Sequence, residues 1–142
     1  MTYQVSIFLE NKIGHFERVT KILRESSINI RSMTLNNTVS GWGILNLVVD
    51  NPEKAQKVLT ENGLSSALRE ILVLQMDDKP GGLDEVLRKI ADARINFVNA
   101  YGINRTKDAF LIIDVEDVED AREKMIKVGV TPLTAEESYI KK

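Results

Sequence analysis

Asn11-Lys12-Ile13-Gly14 lies near the start of the chain, and Asp78-Lys79-Pro80-Gly81 follows it 67 residues later. The same shift of 67 carries Ile28-Asn29-Ile30 onto Ile95-Asn96-Phe97, and Phe16 and Val19 onto Leu83 and Val86. Further along, Ala55 and Gly63 are matched by Ala121 and Gly129 at a shift of 66, so one residue is lost in the hairpin between. Self-similarity at a fixed period marks a duplicated structural unit. The chain therefore reads as two copies of one module, residues 1–70 and 71–142, with no Gly/Ser/Pro linker dividing them.

Outward from the two turns, each copy predicts the same elements. Tyr3, Val5, Ile7 and Leu9 alternate with polar residues, the period-two pattern of a half-buried strand, and Ile71 to Met76 is a near-continuous apolar run of strand length. After the glycines, Phe16, Val19 and Leu23, and then Leu83, Val86, Leu87 and Ile90, recur at helical spacing. Ile28 to Thr38 with Ile44 to Val49, and Phe97 to Ile103 with Ala109 to Val115, read as hairpins across Ser40–Gly43 and Asn104–Asp108. A second helix follows in each copy, from Pro52 and from Val118, closed by Gly63 and Gly129. A short fourth strand is expected near Ser66 to Arg69 and again near Thr131 to Thr134. The plan is βαββαβ twice, an α+β architecture of tandem ferredoxin-like modules whose antiparallel sheets carry helices on one face.

Composition fits such a chain: 142 residues, 43% hydrophobic and 28% charged, are ordinary values for a globular domain. There is no cysteine, which removes disulfides, thiolate metal sites and cysteine nucleophiles, and no segment is long and apolar enough for a membrane span. The expected location is cytoplasmic. Residues 1–70 carry 8 basic and 7 acidic groups and residues 71–142 carry 11 and 14, so the copies are +1 and −3. Neither has the basic surplus that phosphate neutralisation requires.

A βαββαβ module whose first strand ends in Asn-Lys-x-Gly or Asp-Lys-Pro-Gly, followed by a helix and an Ile-Asn-Ile or Ile-Asn-Phe strand start, resembles the ACT domain. The tandem copies resemble small stand-alone proteins made of two ACT domains, over nearly the whole chain. This resemblance implies a non-enzymatic regulatory protein with a free amino acid as effector, held where the loop after the first strand meets the second-strand start of a neighbouring module. It places the ligand on Asn11, Lys12, Ile13 and Gly14 with Asn96, and on Asp78, Lys79, Pro80 and Gly81 with Asn29. It also implies a homodimer and a metabolic enzyme or regulator as partner, with no cofactor or metal.

The chemistry of the residues agrees with that placement. A glycine at a strand-to-helix turn lets a ligand approach, and helix N-terminal N–H groups attract a carboxylate. Asn11 offers a carbonyl to an ammonium group, and Asp78 offers a full charge to the same group. Some amino-acid-binding ACT domains place a histidine two residues before the loop asparagine, where this chain has Leu9 and Met76. An apolar or aromatic ligand side chain is therefore expected.

Other readings compete with this one. Asn and Asp before a glycine turn commonly hydrogen-bond their own backbone. His15, the only histidine, is expected to be a solvent-exposed helix-start residue, and its counterpart is Gly82. Ile7-Phe8-Leu9-Glu10-Asn11 and Gly41-Trp42-Gly43-Ile44-Leu45 partly resemble the two signatures of an RNA-recognition motif, but Ser40 replaces a basic residue, the second copy lacks the aromatics and the charge balance opposes it. Asp77-Asp78 point to opposite faces of a strand end, and the acidic run from Asp114 to Asp120 sits at a helix start, where it favours the helix dipole. No catalytic constellation emerges. A structural partner of a metabolic enzyme, without a ligand, is the alternative function.

Overall fold

In the computed structural model, which describes every residue except 39, 105–107, 135–136 and 138–142, alternation in the first strand becomes a two-faced sheet. The elements are β1 (Thr2–Glu10), α1 (His15–Glu25), β2 (Ile30–Asn37), β3 (Trp42–Val49), α2 (Pro52–Glu61), β4 (Ser65–Met76), α3 (Gly82–Asp92), β5 (Asn99–Asn104), β6 (Ala109–Asp114) and α4 (Val118–Lys127). They form two compact units, Tyr3–Arg69 and Glu70–Ser138, with Met1–Thr2 joined to the second. The expected connection from Asn104 to Asp108 lies largely outside the described residues.

In the first unit the sheet order is β2-β3-β1-β4, with β1 and β2 each antiparallel to β3. Register places Val5 opposite Leu47 and Ile7 opposite Leu45. All four are fully buried and pack with Val19 and Leu23 of α1 and Ala55 and Leu59 of α2. Spacings of three and four give α1 one apolar stripe, and that stripe covers this face of the sheet. On the other face the Ser6 hydroxyl donates to the Asn46 side-chain oxygen Oδ1 at 2.7 Å, and Phe8 stands opposite Ile44.

In the second unit the order is β4-β6-β5, again antiparallel. Leu72 and Leu74 face Ile113 and Leu111 and pack with Ile90, Ala121 and Met125 of the two helices. Both copies thus carry the ferredoxin-like alternation of strands and helices expected from the duplication.

Two details differ from the sequence expectation. The fourth strand of the first copy and the first strand of the second are one element, β4, with Ser65–Arg69 in one unit and Glu70–Met76 in the other. Nothing between them breaks an extended chain, since neither Gly nor Pro occurs from Ser65 to Met76. The strand expected at Thr131 to Thr134 is not a strand. One main-chain bond, Leu133 N–H to Val73 C=O at 2.8 Å, sets the segment beside β4. Pro132 locks its φ at roughly −65°, away from the about −120° of a regular strand, so the segment makes this one bond and no ladder.

Candidate functional site

The two strand-to-helix turns repeat one another in geometry as well as in sequence. Gly14 and Gly81 are the residues before α1 and α3, both with φ of 86° and with ψ of −11° and −8°. A Cβ at either position would meet nothing within 4 Å, so the need for glycine is conformational: L-residues pay roughly 1–2 kcal/mol in this left-handed region. His15 N–H donates to the Lys12 carbonyl at 3.1 Å, and Gly82 N–H to the Lys79 carbonyl at 2.9 Å. The ion pair before each turn is duplicated too, Lys12 to Glu10 at 2.8 Å and Lys79 to Asp77 at 3.7 Å. The hydrogen bond from Lys12 holds the Glu10 carboxyl below its ordinary range, and that bond raises Lys12 in turn.

Close backbone approach, expected at Gly14 and Gly81, occurs one residue later in the second copy. A Cβ on Gly82 would lie 2.0 Å from the Asp77 carbonyl oxygen. In the first copy His15 holds the matching place and turns that carbonyl to use, with Nδ1 3.0 Å from the Glu10 oxygen. His15 is accordingly half-buried, not the exposed helix-start residue expected.

Asn11, Lys12, Ile13, Asp78, Lys79, Pro80 and Gly81 are all exposed. The Asn11 main-chain N–H donates to the Gly41 carbonyl at 2.8 Å. Among the described residues, however, the Asn11 and Asp78 side chains make no hydrogen bond, so neither serves its own turn. The contrast lies at the other two helices. Asn51 accepts from Lys54 N–H at 3.2 Å and caps α2, and Asp117 accepts from Asp120 N–H at 3.1 Å and caps α4. Helices α1 and α3 have no side-chain cap, so beyond His15 and Gly82, whose N–H groups the turn carbonyls take, their first-turn amides are open to an outside acceptor.

Asn29 and Asn96 lie at the far ends of the same units. Asn29 N–H donates to an Asp50 carboxylate oxygen at 3.1 Å, and Asp50 N–H donates back to the Asn29 carbonyl at 3.2 Å. Asn96 lines a shallow cleft of about 320 Å³ with Arg94, Asp117 and Lys124. Register shows the separation: Glu10, beside the first turn, pairs with Trp42, whereas Ile30, beside Asn29, pairs with Val49 at the other end of β3. Seven strand steps of about 3.4 Å intervene. No single unit brings an Asn-Lys-x-Gly turn and a second-strand asparagine together.

Each turn is flanked by a cleft that sequence reasoning did not assign. In the first unit Phe8, Glu10, His15, Arg18, Trp42 and Leu64 line a space of about 290 Å³. Phe8 and Trp42 stack with centroids 4.9 Å apart and planes 3° from parallel. One Arg18 N–H donates to the Asn62 carbonyl at 2.8 Å. The equivalent space in the second unit, about 350 Å³, is lined by Gln75, Met76, Asp77, Gly82, Glu85 and Val130 among others. The sequence signal was the run Ile7-Phe8-Leu9, where an apolar residue occupies an outward position of β1. Among the described residues no group of three or more His, Cys, Asp or Glu could hold a metal ion, and no helix is long and apolar enough to cross a membrane.

The profile of a family described as an ACT domain pair matches residues 1–140. No curated protein matches. Among solved structures, protein BT0572 from Bacteroides thetaiotaomicron is 26% identical, with a TM-score of 0.88, over 99% of this chain and 96% of that one. The ligand-free regulatory subunit of aspartate kinase from Thermus thermophilus is 16% identical with a TM-score of 0.65, over 89% of this chain and 91% of that one. Aspartate kinase from Clostridium acetobutylicum is 11% identical with a TM-score of 0.56, over 89% of this chain and 32% of that one. The last two likenesses are of fold.

Proposed function

Since the chain belongs to the ACT domain-pair family, we propose that it is a non-enzymatic regulatory protein that binds a free amino acid at the turns Asn11–Gly14 and Asp78–Gly81. The observation that carries this reading is the pairing of α1 and α3: both lack a side-chain cap and both follow a left-handed glycine. In each turn an exposed Asn or Asp has a side chain uncommitted to the protein. An α-carboxylate fits the uncapped amides, and the ammonium group fits Asn11 or, more strongly, Asp78. Because each unit holds its turn and its second-strand asparagine at opposite ends, Asn29 and Asn96 join a site by serving the turn of a different module, Asn96 with Asn11 and Asn29 with Asp78. A homodimer is part of the proposal, as is a metabolic enzyme that reads the bound state. The likeness to a regulatory subunit of aspartate kinase supports that last point.

Calorimetric titration with each of the twenty amino acids tests the reading. At least one should bind the wild-type chain at millimolar concentration or below. Asp78→Ala should weaken that binding by about 1.5–3 kcal/mol, roughly ten- to hundredfold, through loss of a charge-assisted hydrogen bond. If no amino acid binds, or if binding survives both Asp78→Ala and Asn11→Ala unchanged, the turns are not the site. In the first case the chain is a ligand-free partner of its enzyme, and in the second the amino acid binds elsewhere on it.

A further inference from the structure

We propose that the cleft of the first unit, beside the turn but distinct from it, is a second binding site that takes a single-ring aromatic carboxylate. The duplication supplies an internal control for this. Both units build the cleft from the same backbone parts: the end of a strand, the first two turns of the following helix, and the residues after a helix-closing glycine. The scaffold does not demand particular side chains there, because the second unit puts Gln75 where the first has Phe8, Glu85 where it has Arg18 and Gly82 where it has His15. Among the described residues no aromatic lines the second cleft. What distinguishes the first cleft is therefore an aromatic platform, with a guanidinium where the second has the Glu85 carboxylate; the cation of the second cleft, Lys89, shares it with Asp77 and Glu85.

The platform is exposed and already ordered. Phe8 keeps 52% and Trp42 40% of their surface in water even though their rings are stacked. A parallel stack leaves outer ring faces open to a third ring, and aromatic pairs contribute beyond the area they bury. Arg18 lies across the cleft, steadied through one N–H on the Asn62 carbonyl. A guanidinium has five N–H donors in a fixed fork, so enough remain for a two-pronged hold on a carboxylate. The acid at the rim does not oppose this, because Glu10 is tied to Lys12 at 2.8 Å. At about 290 Å³ the cleft lies at the small end of ligand sites, which run from about 300 to 1,000 Å³, and one ring with a short acidic arm suits it.

Trp42 is the only tryptophan in the chain, so its emission reports this cleft and the adjoining first turn, and the Arg18→Glu arm separates the two. The experiment titrates the full-length chain with L-phenylalanine, with 3-phenylpropanoate, which lacks the ammonium group, and with L-leucine as the aliphatic control. Both aromatic carboxylates should shift or quench Trp42 saturably, and L-leucine should not. Arg18→Glu should weaken the aromatic titrations by at least about tenfold, and Phe8→Leu, which keeps the apolar bulk but removes the ring, by roughly two- to tenfold. Circular dichroism checks that both variants fold. Trp42 emission unmoved by either aromatic compound up to about ten millimolar overturns the proposal, whatever calorimetry finds at the turns. So does a saturable change that Arg18→Glu leaves intact, and so does tighter saturation by an oligouridine, which would make the stacked pair a nucleic-acid surface.

Discussion

Gly82→Ala perturbs the second turn at the point where the structure allows least room. The added Cβ would lie 2.0 Å from the Asp77 carbonyl oxygen and 2.9 Å from its carbon. Both are main-chain atoms, so relief requires the turn to move by about 1 Å and no rotamer change can supply it. Overpacking of this kind costs typically 1–3 kcal/mol. Alanine in a helix ordinarily returns about 0.5–1 kcal/mol relative to glycine, so a net loss of about 1–2 kcal/mol is expected. Gly81→Ala is the informative companion, because its Cβ meets nothing and only the φ of 86° resists it. That strain of roughly 1–2 kcal/mol is partly offset by the restricted unfolded chain. Gly82→Ala should therefore be at least as destabilising as Gly81→Ala, even though alanine is the better helix former at the helical position. Urea unfolding followed by circular dichroism measures both, and in thermal unfolding the midpoint temperature should fall by about 4–8 °C per kcal/mol for a unit of this size. A Gly82→Ala chain as stable as the wild type would show that the turn does not press on the Asp77 carbonyl. The different origins assigned here to the two glycines would then be wrong.

Removing the caps tests the contrast between the helices: Asn51→Ala and Asp117→Ala should each cost about 1 kcal/mol in urea unfolding, since each deletes an acceptor for a first-turn amide. Arg122→Ala should cost about 1–3 kcal/mol, because Glu70, only 17% exposed at its side chain, then loses its partner at 2.8 Å. Glu70→Gln made alone and in combination gives the coupling by double-mutant cycle, and the pairing with Glu70 also raises Arg122 above its ordinary range. For Glu10 the folded carboxyl lies below its ordinary 4.5, so its contribution is present above that value and is lost as pH falls through the depressed one. An NMR titration of Glu10 should move back toward 4.5 in Lys12→Gln, and an unmoved titration would exclude Lys12 as the cause.

The duplication, the kind and order of the helices and most strands, and the two glycine turns were legible in the residues alone. Each leaves a local trace: alternation at Val5, Ile7 and Leu9, helical spacing at Val19 and Leu23, a left-handed position at Gly14 and Gly81. The competing reading, that Asn11 and Asp78 satisfy their own turns, was equally local, and among the described residues the side chains make no such bond. What sequence could not settle depends on partners distant in the chain. That Thr131 to Thr134 lies beside β4 through one main-chain bond, and pairs no further, is a fact of position. Gly82 owes its identity to the Asp77 carbonyl folding back over it, and the stack of Phe8 on Trp42 arises because antiparallel register sets the ends of β1 and β3 side by side across 34 residues of chain. Side-chain periodicity records which face a residue takes. It does not record which other residue shares that face, because that choice is made by strand pairing and helix packing only when the chain is folded.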